Sequence, residues 1–198
     1  MADQTRSYRM KRRAESQQQT RQRITESAVS LHGTVGPSRT SISAVAANAG
    51  VRRSTVYRHF PDEAALLDAC STHWAAANPP PDLDTWAAIK SPDERLGVAL
   101  GQLYAYYRQT ESMLDNLYRD ELTMPLIQER FAPFRSYLVA ARDTLAAGRR
   151  LHRRARRRGE AALGHAIAFS TWKSLAREQG LDDTEAATLA RAFVAAAI

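Results

Sequence analysis

A run of basic and hydrogen-bonding side chains over residues 52–59 has the clearest chemistry in this sequence. Its members are Arg52, Arg53, Ser54, Thr55, Tyr57, Arg58 and His59, arranged around a single apolar residue, Val56. Guanidinium groups bind phosphate oxygens and guanine edges through paired hydrogen bonds, and hydroxyl groups add further donors. The run therefore predicts a surface that binds a polyanion. The alternative is that its arginines are simply solvated.

Two short helices joined at Gly50 are expected to position this run. Val45, Ala46 and Ala49 have helical spacing before the glycine, and Val56 lies inside the second helix. Small residues let two helices approach closely, and glycine readily takes the positive φ of a tight turn. The two arginines at the start of the second helix lie at the positive end of its dipole, where stability does not favour them. The pattern predicts a helix-turn-helix whose second helix faces a partner.

The distribution of charge supports this interpretation. Residues 1–61 carry 11 basic and 3 acidic side chains, residues 62–148 carry 7 and 13, and residues 149–198 carry 10 and 5, which gives the net charge of +7. A basic N-terminal block beside an acidic middle is typical of a nucleic-acid module joined to another domain. The dense arginine run at 149–158 predicts a mobile, self-repelling loop, with a contact to nucleic acid or an acidic partner as the alternative.

Hydrophobic periodicity predicts an all-α protein. Helical spacing recurs along the chain and no strand alternation is visible. The expected helices cover about 20–32, 40–49, 52–59, 63–78, 91–109, 111–121, 124–147, 160–179 and 183–198. We predict a disordered basic arm at 1–18, a helix-turn-helix DNA-binding domain at 19–64, linked by its fourth helix to a larger helical effector-binding and dimerisation domain at 65–198.

The segment from Ile24 to Ala69 resembles the DNA-binding domain of the tetracycline-repressor (TetR) family. The resemblance rests on Thr40-Ser41-Ile42, Val45-Ala46, Ala49-Gly50-Val51, Thr55-Val56-Tyr57-Arg58-His59-Phe60 and Leu66-Leu67. It implies that the helix at 52–59 enters the DNA major groove and that Thr40 and Tyr57 contact phosphates. Arg39, beside Thr40, is a further phosphate candidate.

Four positions depart from the family pattern. His32 stands where the family commonly has a core aromatic residue, and Pro37 where an aromatic residue often follows the glycine. These two predict a differently packed corner between the first two helices. Arg52 replaces a small capping residue, and Glu63 replaces a common phosphate-contacting lysine. The last change predicts weaker binding at the start of the fourth helix.

The C-terminal segment resembles, more weakly, the end of some TetR-family proteins, where the last two long helices pair with those of a second subunit. The helix at 160–179 is apolar on more than one side, which fits one face on its own domain and another on a twofold mate. The residues expected at the dimer interface are Leu163, Ile167, Phe169, Trp172, Leu189 and Phe193. The alternative is a purely intramolecular core.

Aromatic and methionine side chains are concentrated in the middle helices. Those proposed to line an effector pocket are Trp74, Trp86, Tyr104, Tyr107, Met113, Tyr118 and Phe131. Such density can enclose a flat or apolar small molecule, and the acidic balance of the segment would suit a cationic one. The alternative is that these residues form an ordinary core.

Together these features predict a transcriptional regulator, a ligand-responsive repressor that binds a palindromic operator as a homodimer. A ligand-independent DNA-binding protein is the alternative. No metalloprotease, nucleophile-elbow, Walker or Rossmann motif is present, so we expect no enzyme activity and no cofactor or metal. With one cysteine, no secretory signal and no membrane span, a cytoplasmic location is expected.

Overall fold

The computed structural model describes residues 2–149 and 153–197, with the side chains of 2–6, 153 and 154 left out. Over this part of the chain it contains ten α-helices and no strand, which confirms the all-α prediction. No described helix is both long and apolar enough to span a membrane. The chain forms two compact units, Met1–Pro79 with Ser112–Arg130, and Pro80–Glu111 with Phe131–Ile198.

The first unit contains the predicted helix-turn-helix. Its helices are α1 (Ala2–Thr34), a 3₁₀ turn (Pro37–Arg39), α2 (Ile42–Asn48), α3 (Arg53–His59) and α4 (Glu63–Ala77). Helix α6 (Pro92–Asp120) contributes its last turns to this unit, and α7 (Pro125–Ala146) its first. The predicted boundary at 64/65 therefore differs from the observed units, because α4 packs against α1 in the first of them.

Helix α3 has one buried residue, Val56, which joins a core of Ile24, Ala28 and Val45. All four of these side chains are fully buried. The turn between α2 and α3 is closed at Gly50, whose φ of 64° lies in the left-handed region that glycine adopts without strain. The sequence prediction of the helix-turn-helix is confirmed in its core and in its turn.

Helix α1 is longer than predicted. It begins at Ala2, whereas the sequence predicted a disordered arm over residues 1–18. The absence of apolar periodicity suggested disorder, but this stretch also contains no glycine or proline, and its arginines and glutamines are good helix formers. The helix continues to Thr34, next to the expected stop at Gly33.

The last turns of α6 hold the corner between α1 and α2. Asn116 Nδ2 donates to the backbone oxygens of His32 and Gly33 at 2.8 and 3.1 Å. Asp120 accepts a 2.9 Å hydrogen bond from the backbone N of Ser38. The two Asn116 contacts occupy carbonyl groups that a helix leaves free at its C-terminus. The hydrogen bonds of Asn116 and Asp120 therefore stabilise the corner in which His32 replaces the family's core aromatic residue.

Gly36 and Arg119 meet in the same corner. Arg119 donates to the carbonyl oxygen of Val35 at 3.0 Å and to Asp120 at 2.7 Å. Gly36 has a φ of 96°, and a Cβ atom there would collide with the Arg119 guanidinium. Burial raises the pKa of Asp120, but the hydrogen bonds from Arg119 and Ser38 outweigh it and hold the pKa below its usual value.

The second unit contains the remaining helices. They are α5 (Leu83–Ala87), the first part of α6, most of α7, α8 (Arg153–Ala166), α9 (Phe169–Lys173) with a π-helical turn (Ser174–Glu178), and α10 (Asp183–Ala197). The predicted break between 109 and 111 is wrong. Thr110 lies inside α6 and its hydroxyl donates to the carbonyl oxygen of Tyr106, four residues earlier, at 2.7 Å. No glycine or proline between 102 and 120 interrupts the helix.

The predicted single helix at 160–179 instead begins at Arg153, so residues 153–158 of the arginine run are helical and not the predicted loop. It is also broken between Ala166 and Phe169. Two buried tyrosines of α6 stabilise this break. The hydroxyl of Tyr104 donates to the carbonyl oxygen of Ala166 at 2.8 Å, and that of Tyr107 to the carbonyl oxygen of Ile167 at 2.5 Å. A buried carbonyl that leaves the helical pattern needs such a partner. The aromatic residues of α6 therefore have a structural task that their spacing did not reveal.

Candidate nucleic-acid interface

Helix α3 presents most of the predicted contact residues to solvent. Arg52, which lies at the N-cap, and Arg53, Ser54, Tyr57 and Arg58 are exposed, while Thr55 and His59 are half-buried. The helix has no acidic residue in its first turn, and the Arg52 side chain makes no capping hydrogen bond. Its positive end therefore combines free backbone N–H groups with two guanidinium groups. An anion is the ligand that such an end binds most favourably.

Arg53 and Tyr57 form a pair on the exposed face of α3. The guanidinium of Arg53 donates to the hydroxyl of Tyr57 at 3.1 Å and lies 5.5 Å from the centre of its ring. This hydrogen bond raises the pKa of Arg53. The i, i+4 spacing brings the two side chains together on one side of the helix. A pair held in this way loses less side-chain freedom when it binds a partner than two independent side chains would.

Arg21 holds the C-terminal end of α3 against α1. Its guanidinium donates to the carbonyl oxygen of His59 at 2.5 Å and lies 4.1 Å from the centre of the Phe60 ring. A cation at a helix C-terminus is favourable, and the aromatic face adds a cation–π contact. Sequence analysis missed this residue. Its position three residues before the buried Ile24, on the same face of α1, was the signal that could have identified it.

His59 differs from the other predicted contacts. Its Nε2 atom is buried, and no hydrogen-bond partner for it is found among the described residues. Burial lowers the pKa of His59, and the nearby Arg58 and Arg21 lower it further. The lowered pKa favours the neutral ring, and its buried Nε2 offers no exposed hydrogen-bonding group.

The predicted phosphate contacts before α2 lie at the corner next to the 3₁₀ turn. Arg39 is exposed, and Thr40 is half-buried with its hydroxyl donating to the carbonyl oxygen of Gly36 at 2.8 Å. That hydroxyl oxygen can still accept a hydrogen bond, but it has no further proton to donate to a phosphate. Ser41 accepts from the backbone N of Ala44 at 3.1 Å and caps α2.

The residues proposed for an effector pocket are divided between the two compact units. Trp74, Met113 and Tyr118 belong to the first unit, and Trp86, Tyr104, Tyr107 and Phe131 to the second. Tyr104, Tyr107 and Trp86 are fully buried. Trp86 Nε1 donates to Gln102 Oε1 at 2.7 Å, so its polar atom is satisfied within the second unit. The partly exposed aromatic surface of the second unit lies instead on α7, at Phe134 and Tyr137.

The residues proposed for dimerisation separate into two groups. Leu163, Ile167, Phe169 and Trp172 are buried within the second unit. Trp172 is held by a 2.9 Å hydrogen bond from Nε1 to Asp183 and by contact with the Phe169 ring at 5.6 Å. Leu189 and Phe193 are exposed on α10 at 36% and 48%. With the exposed Ala192 and Ala196, they form an apolar stripe at helical spacing.

Comparison with known proteins agrees with this geometry. The family model described as "Bacterial regulatory proteins, tetR family" matches residues 24–70, which contain α2, α3 and most of α4. A search of curated protein sequences found no match.

Solved structures with the same fold cover most of the chain. A candidate fatty acid metabolism regulator from Clostridium perfringens superposes with a TM-score of 0.66 at 12% identity, covering 89% of this chain and 98% of that one. A tetR-family transcriptional regulator from Streptomyces coelicolor gives 0.61 at 19% identity, covering 91% and 80%. The fatty acid degradation regulator FadR from Bacillus halodurans gives 0.52 at 15%, covering 87% and 96%. At these identities the likeness shows the fold.

Proposed function

We propose that this chain, whose residues 24–70 match the family model of the tetR bacterial regulatory proteins, is a cytoplasmic repressor of that family that binds a palindromic operator as a homodimer. The helix-turn-helix of the first unit acts as the DNA-binding domain, and the second unit acts as the domain that dimerises and binds an effector. A small molecule bound by the second domain changes the separation of the two recognition helices and releases the DNA.

The exposed face of α3 carries the proposal. A helix of seven residues that buries only Val56 contributes little to the core, yet it presents Arg53, Tyr57 and Arg58 together. Arginine can form paired hydrogen bonds with guanine, and the exposed Tyr57 hydroxyl can reach phosphate oxygens. Arg39 adds a phosphate contact from the preceding turn, whereas Thr40 can donate to a phosphate only if its hydroxyl releases the carbonyl oxygen of Gly36. His59 has the weakest claim to a DNA contact among the predicted residues, because its Nε2 is buried.

The apolar stripe on α10 supports the homodimer. Leu189 and Phe193 are exposed large side chains in a helix whose opposite face, with Ala186, Ala190 and Val194, is buried. An exposed apolar stripe of this kind is a typical contact between subunits, and a twofold axis brings the same residues of both copies together. Of the six residues predicted at the dimer interface, the proposed interface therefore uses Leu189 and Phe193.

Aromatic side chains on α7 support a small-molecule effector. The Phe131 and Phe134 rings stack at 5.3 Å and the Phe134 and Tyr137 rings at 5.9 Å, which gives a ladder of nearly parallel rings. The guanidinium of Arg135 lies 5.9 Å from the Phe131 ring, so one aromatic face already holds a cation. A flat aromatic cation matches this chemistry.

A ligand-independent DNA-binding protein is the second candidate. It is favoured by the buried tyrosines of α6, whose hydroxyls are engaged by the backbone rather than available to a ligand. Thermal unfolding of the DNA-free protein with and without ethidium, a flat aromatic cation, separates the two. A concentration-dependent rise in Tm supports an effector site. An unchanged Tm with ethidium and with other aromatic cations favours the second candidate.

Selection of binding sites from random DNA tests the proposed function. We expect an inverted repeat whose half-sites are about 34–36 Å apart, or at a related spacing. We expect Arg53→Ala and Tyr57→Ala to lose specific binding and Arg157→Ala, on the exposed surface of α8, to retain it. That result would show that α3 makes the sequence-specific contacts. If no consensus emerges and all three variants bind DNA as the wild type does, the regulator proposal is wrong.

Sedimentation of a Phe193→Glu variant tests the dimer. Two added carboxylates facing each other in an apolar interface should shift the protein to a monomer at micromolar concentration. Thr188→Glu is the matched control, because Thr188 is exposed on the same helix but lies outside the stripe. If Phe193→Glu sediments as a dimer, the α10 stripe is not the interface.

A further inference from the structure

Residues 7–19 form the most exposed helical segment of the first unit, named here the basic N-terminal helix. Every residue of this segment is exposed. It carries four basic residues, Arg9, Lys11, Arg12 and Arg13, and one acidic residue, Glu15. The matched family domain begins only at residue 24. The segment is therefore a helical addition in front of the helix-turn-helix.

The composition of this segment favours a helix, but packing against other elements does not stabilise it. A helix gains most of its stability in proteins from an apolar face packed against other elements, and here each position faces solvent. Four positive charges within five residues repel one another. Binding to a polyanion would turn this repulsion into attraction to the partner.

The basic N-terminal helix leads directly into the helix-turn-helix. It is continuous with the part of α1 that packs in the helix-turn-helix core through Ile24 and Ala28. Arg21 ties that part to the end of α3 through its 2.5 Å hydrogen bond to His59. Twelve residues separate Arg21 from Arg9, which is about 18 Å of helix, or the axial length of about five base pairs.

We propose that the basic N-terminal helix is a second DNA-binding surface, which contacts the phosphates of the DNA flanking the operator. The inference rests on the proposed function, since α3 must first bring the protein to DNA. Phosphate contacts by arginine and lysine carry no sequence information. The segment therefore adds affinity and salt dependence without changing the selected consensus.

The experiment compares two triple variants on two duplexes. The test variant combines Arg9→Gln, Arg12→Gln and Arg13→Gln, and the control combines Arg156→Gln, Arg157→Gln and Arg158→Gln, which removes the same charge from exposed positions on α8. One duplex contains the selected site alone, and the other extends it by about ten base pairs on each side. Affinities are measured over a series of salt concentrations.

We expect the wild type and the control to bind the longer duplex more tightly and with a steeper salt dependence. The test variant should lose about tenfold or more of that affinity at low salt, and its slope of log K against log salt should fall by up to about three. On the short duplex, all three proteins should bind alike, because α3 is unchanged.

Failure of this inference differs from failure of the proposed function. If the test variant and the control bind the long duplex equally, or if the wild type gains nothing from flanking DNA, the basic N-terminal helix is only a solvated extension. Specific binding to the short duplex would then still support the regulator. If the wild type binds neither duplex specifically, the proposed function and this inference are both wrong.

Discussion

The exposed face of α3 and the aromatic centre of the second unit use polar side chains in opposite ways. In α3, Arg53 and Tyr57 contact each other and remain open to solvent. In the second unit, the Tyr104 and Tyr107 hydroxyls are buried and bound to the backbone at the α8 to α9 break. The first arrangement keeps hydrogen-bonding groups available to a partner. The second consumes them to hold the fold together.

This difference shows that residue type alone does not identify a binding surface. Tyrosines at helical spacing predicted an effector pocket in the second unit, but their hydroxyls complete an irregular backbone. An exposed polar side chain on a helix that buries almost nothing is a better indicator of a partner. Substitutions in the two regions should accordingly change different measurements.

Trp172→Ala should give the largest effect. Trp172 is fully buried, and its ring also contacts the guanidinium groups of Arg108 and Arg177 at 5.8 and 5.4 Å. Removal of a buried tryptophan side chain lowers the free energy of unfolding by about 3–5 kcal/mol. Chemical denaturation measures this free energy, and Trp74→Ala, at a half-buried tryptophan, is the control. Equal losses in the two variants would contradict the assignment of Trp172 to a structural centre.

The pH dependence of stability should reveal a buried polar centre in the first unit. Burial lowers the pKa of His32 to about 4, although Asp120 opposes the shift. Between pH 6.5 and 4 the unfolded chain binds a proton that the folded chain does not, so stability is lost as the pH falls through this window, by up to about 3 kcal/mol.

His32→Phe tests that prediction, because phenylalanine keeps the ring and removes the titration. Urea unfolding at pH 7.5 and pH 5 should show a smaller difference for the variant than for the wild type. The lowered pKa of His59 leaves some dependence in both proteins. If the variant has the same pH dependence as the wild type, His32 is not the titrating group.

Arg21→Met should lower operator affinity by about tenfold or more, because the charged hydrogen bond to His59 and the contact with Phe60 both disappear. Arg21 acts here as a positioning residue for α3. Nonspecific DNA affinity and its salt slope should remain unchanged, whereas loss of a phosphate contact would reduce the slope by about one.

Arg21→Lys provides the conservative control. Lysine can still donate to the His59 carbonyl oxygen, so it should recover part of the operator affinity that methionine loses. Recovery without a change in salt slope would support positioning. A reduced slope in Arg21→Met that lysine restores would show instead that Arg21 touches phosphate.

Tyr57→Phe should give the smallest effect. It removes the hydroxyl that accepts from Arg53 at 3.1 Å while the ring stays in place. One exposed hydrogen bond contributes about 1 kcal/mol, so operator affinity should fall about fivefold with no change in thermal stability. Calorimetry measures the thermal stability, and a binding titration measures the operator affinity. A loss of stability without a loss of affinity would show that the Tyr57 hydroxyl stabilises the fold, as those of Tyr104 and Tyr107 do, and does not serve a partner.

The helix-turn-helix of the first unit was predictable because its signals are local. Helices α2, α3 and α4 are defined by residues within or next to them in the sequence. These are the small apolar residues before Gly50, the cap at Ser41 and the cap at Asp62. The break after Ala166 was not predictable in the same way. It depends on tyrosine hydroxyls about sixty residues away, and helical spacing carries no information about that pairing.

The exposed face of α3 was predicted, whereas the distant contacts that hold α3 and the neighbouring corner in place were missed. Arg53 and Tyr57 lie where the pattern indicated. The contact of Arg21 with the end of α3 crosses 38 residues, and those of Asn116 with the α1 carbonyls cross more than eighty. Such contacts require the tertiary arrangement, which periodicity and capping rules do not supply.

The affinity of Arg53→Ala for the selected operator tests the central claim most directly. Arg53 is exposed and supports no core contact, so its removal should leave the free energy of unfolding unchanged and weaken specific binding by about tenfold to a hundredfold. Arg157→Ala should bind as the wild type does. Equal operator affinity of Arg53→Ala and the wild type would contradict the claim that α3 recognises DNA.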